Sequence, residues 1–171
     1  MTRIDMLSSL HRVEQALPSL LAQPDQWQTL YVDYDRPIVE RVWCQWDNLR
    51  VYLHRILPCS PHEALFHPHP WPSAMRIVAG SYEMGIGYAA GNKPPPEAAR
   101  VILIPGSEYE MTHPDGWHYV RPIDRPSLSL MVAGKPWNRS SPKSEHSLEM
   151  LSGTRKTEII EFFRAYYSRK S

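Results

Sequence analysis

The chain has 171 residues, with 17 prolines, 8 glycines and a net charge of +1, and 42% of its residues are hydrophobic. Proline at about twice its usual share excludes a long helical bundle, and the apolar and aromatic content excludes a disordered chain. The near-zero net charge provides no global field to attract a polyanion, so neither nucleic acid nor a membrane surface is an expected partner.

The chain opens with a predicted helix. Residues 5–22 carry apolar side chains at helical spacing, and Pro18 is expected to kink or split that helix. A turn or a second short helix is expected near residues 26–30. The segment from Met1 to Leu21 lacks the apolar run of a signal peptide, and no stretch is long and apolar enough to span a membrane. The sequence therefore predicts a cytoplasmic protein.

Alternating apolar and polar residues predict about eight short strands between residues 38 and 133. The clearest pair runs from residue 38 to residue 56, where Asp47-Asn48 predicts a tight hairpin turn. The remaining strands are expected near residues 74–79, 82–88, 100–104, 106–111, 117–121 and 127–132. Short strands with frequent turns are typical of an all-β sandwich or barrel.

The C-terminal part is predicted to be a mobile loop over residues 134–153 and a helix over residues 158–167. We expect one domain over residues 1–171, with a helical segment (1–37), a β-barrel (38–133), and a loop followed by a helix (134–171). The terminal helices are expected to cover the barrel or to mediate a homodimer.

Histidine spacing suggests a metal site. His67 and His69 are two residues apart, so an extended backbone would place both imidazoles on one face. The prolines at 68, 70 and 72 favour that extended backbone. His118 follows a Pro-Asp-Gly turn and could supply a third ligand from a distant strand. Neutral imidazole suits iron, zinc, copper or nickel.

These residues resemble the two signature motifs of the cupin superfamily: His67-x-His69 followed by Gly80, then Pro114-x-Gly116-x-His118. The resemblance covers roughly residues 49–133 and implies a double-stranded β-helix, a jelly-roll barrel, that holds a metal inside. Two departures stand out. The glutamate that usually follows the second histidine is missing from residues 71–75, and the second motif is one residue short between glycine and histidine.

A three-histidine site without the carboxylate resembles the thiol dioxygenase branch, which includes cysteine dioxygenase. That resemblance implies Fe(II) bound by His67, His69 and His118, with open positions for a thiol and dioxygen. It also implies an arginine on an early strand that binds the substrate carboxylate, and Arg41 has a comparable place. Tyr82 and Tyr119 are the candidates for a hydrogen bond to the reacting oxygen.

Several alternatives stay open at this stage. His113 competes as third ligand, and Glu83, Glu108 and Glu110 are candidates for a further ligand. His54 and His62 are expected to be surface or loop residues.

Three functions fit these residues. The first is an iron oxygenase that oxidises a small anionic thiol or enolate bearing a carboxylate. The second is a non-redox isomerase or lyase that uses zinc, nickel or manganese as a Lewis acid. The third is a cupin that binds a small ligand without catalysis.

Overall fold

A computed structural model describes residues 5–139 and 142–169 of the chain. Within these two ranges, the fold consists of two α-helices and ten strands, with a 3-10 turn at Pro24–Gln26. The helices are α1 (Met6–Leu21) and α2 (Gly153–Ser168). The strands are β1 (Gln28–Val32), β2 (Val39–Trp46), β3 (Leu49–Ile56), β4 (His67–Pro68), β5 (Ser73–Ala79), β6 (Tyr82–Tyr88), β7 (Ala99–Leu103), β8 (Glu108–Met111), β9 (Gly116–Pro122) and β10 (Ser127–Ala133).

The strands form two antiparallel sheets. A six-stranded sheet has the order β1-β2-β3-β10-β5-β8, and a four-stranded sheet has the order β4-β9-β6-β7. The all-β jelly-roll prediction is therefore confirmed. The barrel is not closed by hydrogen bonds, however, because the described strands divide between two sheets packed face to face.

The six-stranded sheet is buried on both faces. Toward the other sheet it presents side chains such as Tyr52, Met75 and Met131, which pack against Met84 and Val120. This face of each sheet is called the inner face below. The opposite face of the six-stranded sheet is covered by α1 and α2, with Leu53, Val132 and Phe163 at the centre of a second core. The result is a three-layer arrangement of helices, sheet and sheet.

Helix α1 runs through Pro18 without a break. The predicted split is wrong, because the apolar face of the helix (Leu10, Val13, Leu17 and Leu21) is buried on both sides of Pro18. That packing outweighs the loss of one backbone hydrogen bond. Neither helix in the described ranges is long and apolar enough to cross a membrane.

Of the turn or second short helix expected near residues 26–30, the structure has a 3-10 turn at Pro24–Gln26. The helical segment expected over residues 1–37 also contains a strand. Residues 28–32 form β1, which pairs along its length with Val39–Trp43 of β2. The backbone N–H of Tyr31 donates to the carbonyl of Glu149 at 2.8 Å, so the stretch after β10 covers the other edge of β1. Hydrogen bonds on both edges determine the extended conformation of this short segment, and its own residue pattern does not.

The stretch predicted as a mobile loop over 134–153 is anchored at several points. Trp137 N–H donates to the carbonyl of Pro70 at 2.7 Å, and Leu151 N–H donates to Thr29 Oγ1 at 3.1 Å. Helix α2 begins at Gly153, five residues earlier than predicted, with the Ser152 side chain as its N-cap. Residues 140 and 141 of the predicted loop, and residues 1–4 of the N-terminal segment, lie outside the described residues.

Gly80, the glycine of the first motif, forms the turn between β5 and β6. Its φ is +71°, and an added Cβ would lie 2.7 Å from the carbonyl oxygen of Pro126. Gly106 has a φ of +93° but open space around the Cβ position. At Gly80 both the positive φ and the lack of space for a Cβ favour glycine, whereas at Gly106 only the positive φ does.

We expect Gly80→Ala to lower the free energy of unfolding by about 2–4 kcal/mol, because left-handed strain and a backbone clash add. Gly106→Ala, the matched control, should cost about 1–2 kcal/mol from strain alone. Urea unfolding of both variants measures the difference. Equal losses would show that the contact with Pro126 is relieved without cost.

Candidate metal centre

The three predicted histidines meet between the two sheets. His67 lies directly opposite His118 in the β4–β9 pairing, and His69 follows two residues after His67. The imidazole ring centres are 5.4 Å apart for His67 and His69, 5.0 Å for His67 and His118, and 4.4 Å for His69 and His118. One ring nitrogen from each lies within 4.8 Å of the others.

The backbone around His67 and His69 is held in place by its neighbours. Pro68 pairs with Trp117 of β9. The carbonyls of Pro70 and Pro72 accept hydrogen bonds from Trp137 and Gly134, at 2.7 and 2.9 Å. Proline removes donors that an extended buried segment would otherwise leave unpaired, while these carbonyls remain satisfied. The proline-rich stretch is thus a rigid support for the two imidazoles.

Hydrogen bonds fix how the rings present their nitrogens. His67 Nδ1 donates to the carbonyl of Leu65 at 2.9 Å, which leaves Nε2 unprotonated on the neutral ring. His69 Nδ1 bonds to Ser73 Oγ at 3.0 Å. A contact of this kind on one ring nitrogen is what orients metal-binding histidines in proteins.

Burial keeps all three imidazoles neutral. Loss of solvent lowers the pKa of His67, lowers that of His69 to about 3, and lowers that of His118 well below 6.5. A neutral imidazole is the form that binds a metal.

The donor set fits a divalent transition metal. His118 Nε2 lies 2.7 Å from His69 Nε2, so two nitrogens with lone pairs face each other unless one of the rings carries its proton there. His118 Nδ1 is buried with no hydrogen-bond partner among the described residues. When neither ring carries a proton at that contact, a cation bound by the three Nε2 atoms would remove the repulsion between the lone pairs. Imidazole donors suit iron, zinc, copper and nickel rather than magnesium or calcium.

A cavity of about 170 Å³ opens in front of the histidines. Its walls come from both sheets and from the connections beside them. Apolar side chains such as Trp71, Val120 and Met131 form much of the lining. Arg41 and His54 bring polar groups into the same space from the six-stranded sheet.

Arg41 forms no ion pair with a carboxylate of the described residues. Its Nε donates to His54 Nε2 at 3.1 Å, and its guanidinium lies over the Tyr52 ring at 5.0 Å. Two other strand arginines could bind a carboxylate, but each already has one as a neighbour outside the cavity. Arg76 pairs with Glu14, and Arg121 lies 3.6 Å from Glu83. Arg41 is thus a cation available to an anion in the cavity.

His54 is the residue that sequence reasoning missed. It is buried and lines the cavity, contrary to the prediction of a surface or loop position. The hairpin sequence contained the information needed to place His54, because a turn at Asp47-Asn48 sets the register that pairs His54 with Arg41. Counting residues outward from that turn on both strands identifies this pair from the sequence alone.

Tyr82 and Tyr119 do not line the cavity. Tyr82 is fully buried, and its hydroxyl lies 3.0 Å from Met75 Sδ and 3.1 Å from the Tyr109 hydroxyl. Tyr109, which was not predicted, contacts Tyr82 through its hydroxyl, and its ring centre lies 6.1 Å from that of His118. Tyr119 follows His118 along β9 and so points to the opposite face, where its hydroxyl donates to Glu83 at 3.0 Å.

The structure also places the alternative ligands away from the cavity. His113 is exposed beside the Tyr88 hydroxyl, and Glu83 is on the outer face with Tyr119. Glu108 and Glu110 alternate with Tyr109 and face α1: Glu108 contacts Arg76 and His11, and Glu110 accepts from the first backbone N–H groups of the helix. Within the described residues, no carboxylate joins the three histidines.

His54 gives a pH dependence that can be measured. Burial, the Arg41 charge and His69 lower its pKa well below 6.5, so the unfolded chain binds a proton near pH 6 that the folded chain does not. The contribution is complete above about pH 6.5 and is lost as the pH falls. We expect His54→Leu to reduce the slope of unfolding free energy against pH, between pH 7 and 5, by up to about 1.4 kcal/mol per pH unit.

Urea unfolding of metal-free protein at several pH values measures this slope. An unchanged slope in His54→Leu would mean that the folded protein binds a proton at position 54 as readily as the unfolded chain does.

No protein-family model matches the sequence, and no curated protein matches it. Solved structures do. The chain is similar to hydroxypropylphosphonic acid epoxidase from S. wedmorenis, with 17% identity and a TM-score of 0.50 over 64% of this chain and 56% of that chain. Fe(II)-HppE with the alternative substrate (S)-1-HPP gives 15% identity and a TM-score of 0.51, over 64% and 57%.

A structure of FeII HppE in complex with substrate, form 2, gives the same identity, TM-score and coverage as the second of these. The chain therefore spans little more than half the length of the structures it resembles. At this identity the likeness shows the fold, a cupin-like β-sandwich of the jelly-roll type.

Proposed function

We propose that this protein is a mononuclear metal oxygenase that binds Fe(II) through the Nε2 atoms of His67, His69 and His118. Its substrate is a small anion that bears a carboxylate and a thiol or enolate, and its oxidant is O2. The observation that carries the proposal is the convergence of three imidazoles, those of His69 and His118 buried and that of His67 half-buried, on a cavity that also holds the guanidinium of Arg41. Arg41 has no carboxylate partner among the described residues.

The charge of the site favours an anionic substrate. Three neutral ligands leave the charge of a divalent ion uncompensated, and Arg41 adds a further positive charge. Iron, when bound, supplies the redox chemistry with dioxygen. The side chains of the cavity bind the substrate and exclude water. Arg41 binds the carboxylate through two hydrogen bonds, while Trp71 and Val120 keep water out of the cavity.

Two comparisons support iron. The structures of similar fold include Fe(II)-HppE, an iron-bound protein seen with substrate. The two histidine motifs resemble those of the cupin superfamily, and a three-histidine set without a carboxylate resembles its thiol dioxygenase branch. Membership of that branch is part of this proposal.

Oxygen consumption tests the proposal. Protein loaded anaerobically with Fe(II) should consume O2 when mixed with small thiol carboxylates or diketones, and it should do so only with iron present. Absence of turnover with every such compound, at full iron occupancy, would contradict it.

A non-redox isomerase or lyase is the second candidate, because three imidazoles also make a common zinc site. Elemental analysis of protein purified without added metal separates the two: iron favours the oxygenase, and zinc, nickel or manganese the other. A cupin that only binds a ligand should contain no stoichiometric metal, and chelator should leave its Tm unchanged. A homodimer and a cytoplasmic location remain predictions, and a solution mass measurement tests the first.

A further inference from the structure

We propose that His54 is a positioning residue that aims the guanidinium of Arg41 end-on into the cavity, and that the subsite so formed selects a singly charged carboxylate. This inference rests on the proposed function for its place in a reaction. It names which anion the cavity takes and how the anion is held.

The hydrogen bond between the two side chains fixes the orientation. A guanidinium can only donate, so the 3.1 Å contact is Arg41 Nε–H donating to the lone pair on His54 Nε2. The edge of the guanidinium that includes Nε is thereby occupied. The two Nη groups form no hydrogen bond to an acceptor of the described residues, and they are left as a two-pronged donor for a carboxylate.

Strand pairing and an aromatic ring hold this arrangement in place. Arg41 and His54 are direct register partners on β2 and β3, with both side chains on the inner face. Tyr52, two residues before His54 on the same face, contacts both groups. The guanidinium lies 5.0 Å over its ring centre, and the His54 ring stacks on it at 5.6 Å with an interplanar angle of 29°. Two contacts to one rigid ring restrict the plane of the guanidinium.

The choice of histidine matters because the acceptor is neutral. A carboxylate at position 54 would orient Arg41 equally well, but it would cancel the charge that an incoming anion needs. Burial and the neighbouring Arg41 favour the uncharged imidazole, since both lower the pKa of His54. The imidazole thus orients a cation without neutralising it.

The other charges around the cavity argue for a monoanion. Asp35 and Arg36 also line it, as adjacent residues of opposite charge that are exposed to solvent. Without a bound metal, the lining side chains therefore present a net of one positive charge, that of Arg41. A carboxylate matches that charge, whereas a phosphonate dianion would need a second cation.

The test uses the full chain, as purified and after removal of metal with chelator, titrated with three probes. Propionate is the monoanion, methylphosphonate at pH 8 is the dianion, and propionamide is the uncharged isostere. Binding is followed by thermal shift and by the fluorescence of the tryptophans, which include Trp71 in the cavity wall. We expect propionate to bind the metal-free protein more tightly than either other probe does, because Arg41 is then the one unbalanced cation of the cavity lining.

Three variants then separate geometry from charge. His54→Gln retains a neutral acceptor and should keep propionate affinity within about threefold, whereas His54→Leu should weaken it about tenfold, the equivalent of one modest hydrogen bond. His54→Glu should abolish binding as completely as Arg41→Met does. His113→Leu, at an exposed site, is the matched control and should change nothing.

Two results would overturn the inference. One is a His54→Leu variant that remains folded and binds propionate as the wild type does. The other is a His54→Glu variant that retains binding, which would show that the charge of Arg41 is not what attracts the anion. Because the chelated protein gives the same readout, the inference can fail while iron binding stands, and iron binding can fail while the inference stands.

Discussion

Replacing His118 with alanine is expected to abolish stoichiometric iron binding. The wild type should take up about one Fe(II) per chain, and the variant should bind at least about a hundredfold more weakly, because loss of a direct ligand exceeds the effect of losing an outer contact. Chelator should lower the Tm of the iron-loaded wild type and leave that of the variant unchanged. Anaerobic titration followed by metal analysis of the desalted protein measures the uptake.

His113 supplies the control for this experiment. It was the competing third ligand in the sequence, and the structure places it in an exposed turn next to Tyr88. His113→Ala should bind iron as the wild type does. Iron retained by folded His118→Ala and lost from His113→Ala would contradict the proposed site.

The second large effect is expected at Arg41. Arg41→Met should reduce kcat/KM for a carboxylate-bearing substrate by about a hundredfold or more, because the carboxylate would lose the guanidinium that pairs with it inside the cavity. Most of the loss should lie in KM, since the guanidinium binds the part of the substrate that does not react. Iron content should be unchanged.

Arg50 is the matched control for charge and length. Its guanidinium lies over the Trp71 ring at 5.4 Å, but Arg50 does not line the cavity. Arg50→Met should therefore leave kcat/KM nearly unchanged. An equal loss in both variants would indicate a general field effect, and a loss in Arg41→Met that is as large for an uncharged amide substrate would contradict carboxylate binding.

Much of the inner architecture could be predicted from the sequence. The β2–β3 hairpin followed from alternation around Asp47-Asn48, and its register already paired Arg41 with His54. The two histidines of the first motif were expected on one face of an extended segment, and the structure brings them together there. These predictions depended on local spacing, which a chain of short strands retains.

The failures have a different cause. Strand β1 depends on pairing with β2 and on cover from the stretch around Glu149, and no local pattern encodes such partners. Tyr82 was chosen by residue type, but its hydroxyl is taken up by Met75 and Tyr109. The alternation of side chains along a strand already excludes Tyr119 from the cavity, because it is adjacent to His118 on the same strand and must face the other way.

The most direct measurement is anomalous diffraction from crystals grown with Fe(II) under anaerobic conditions. Data collected on both sides of the iron absorption edge should give one strong peak in the cavity, about 2 Å from Nε2 of His67, His69 and His118. A cavity without a peak in crystals that contain iron, or a peak at other residues such as His11 and Glu108, would contradict the three-histidine centre.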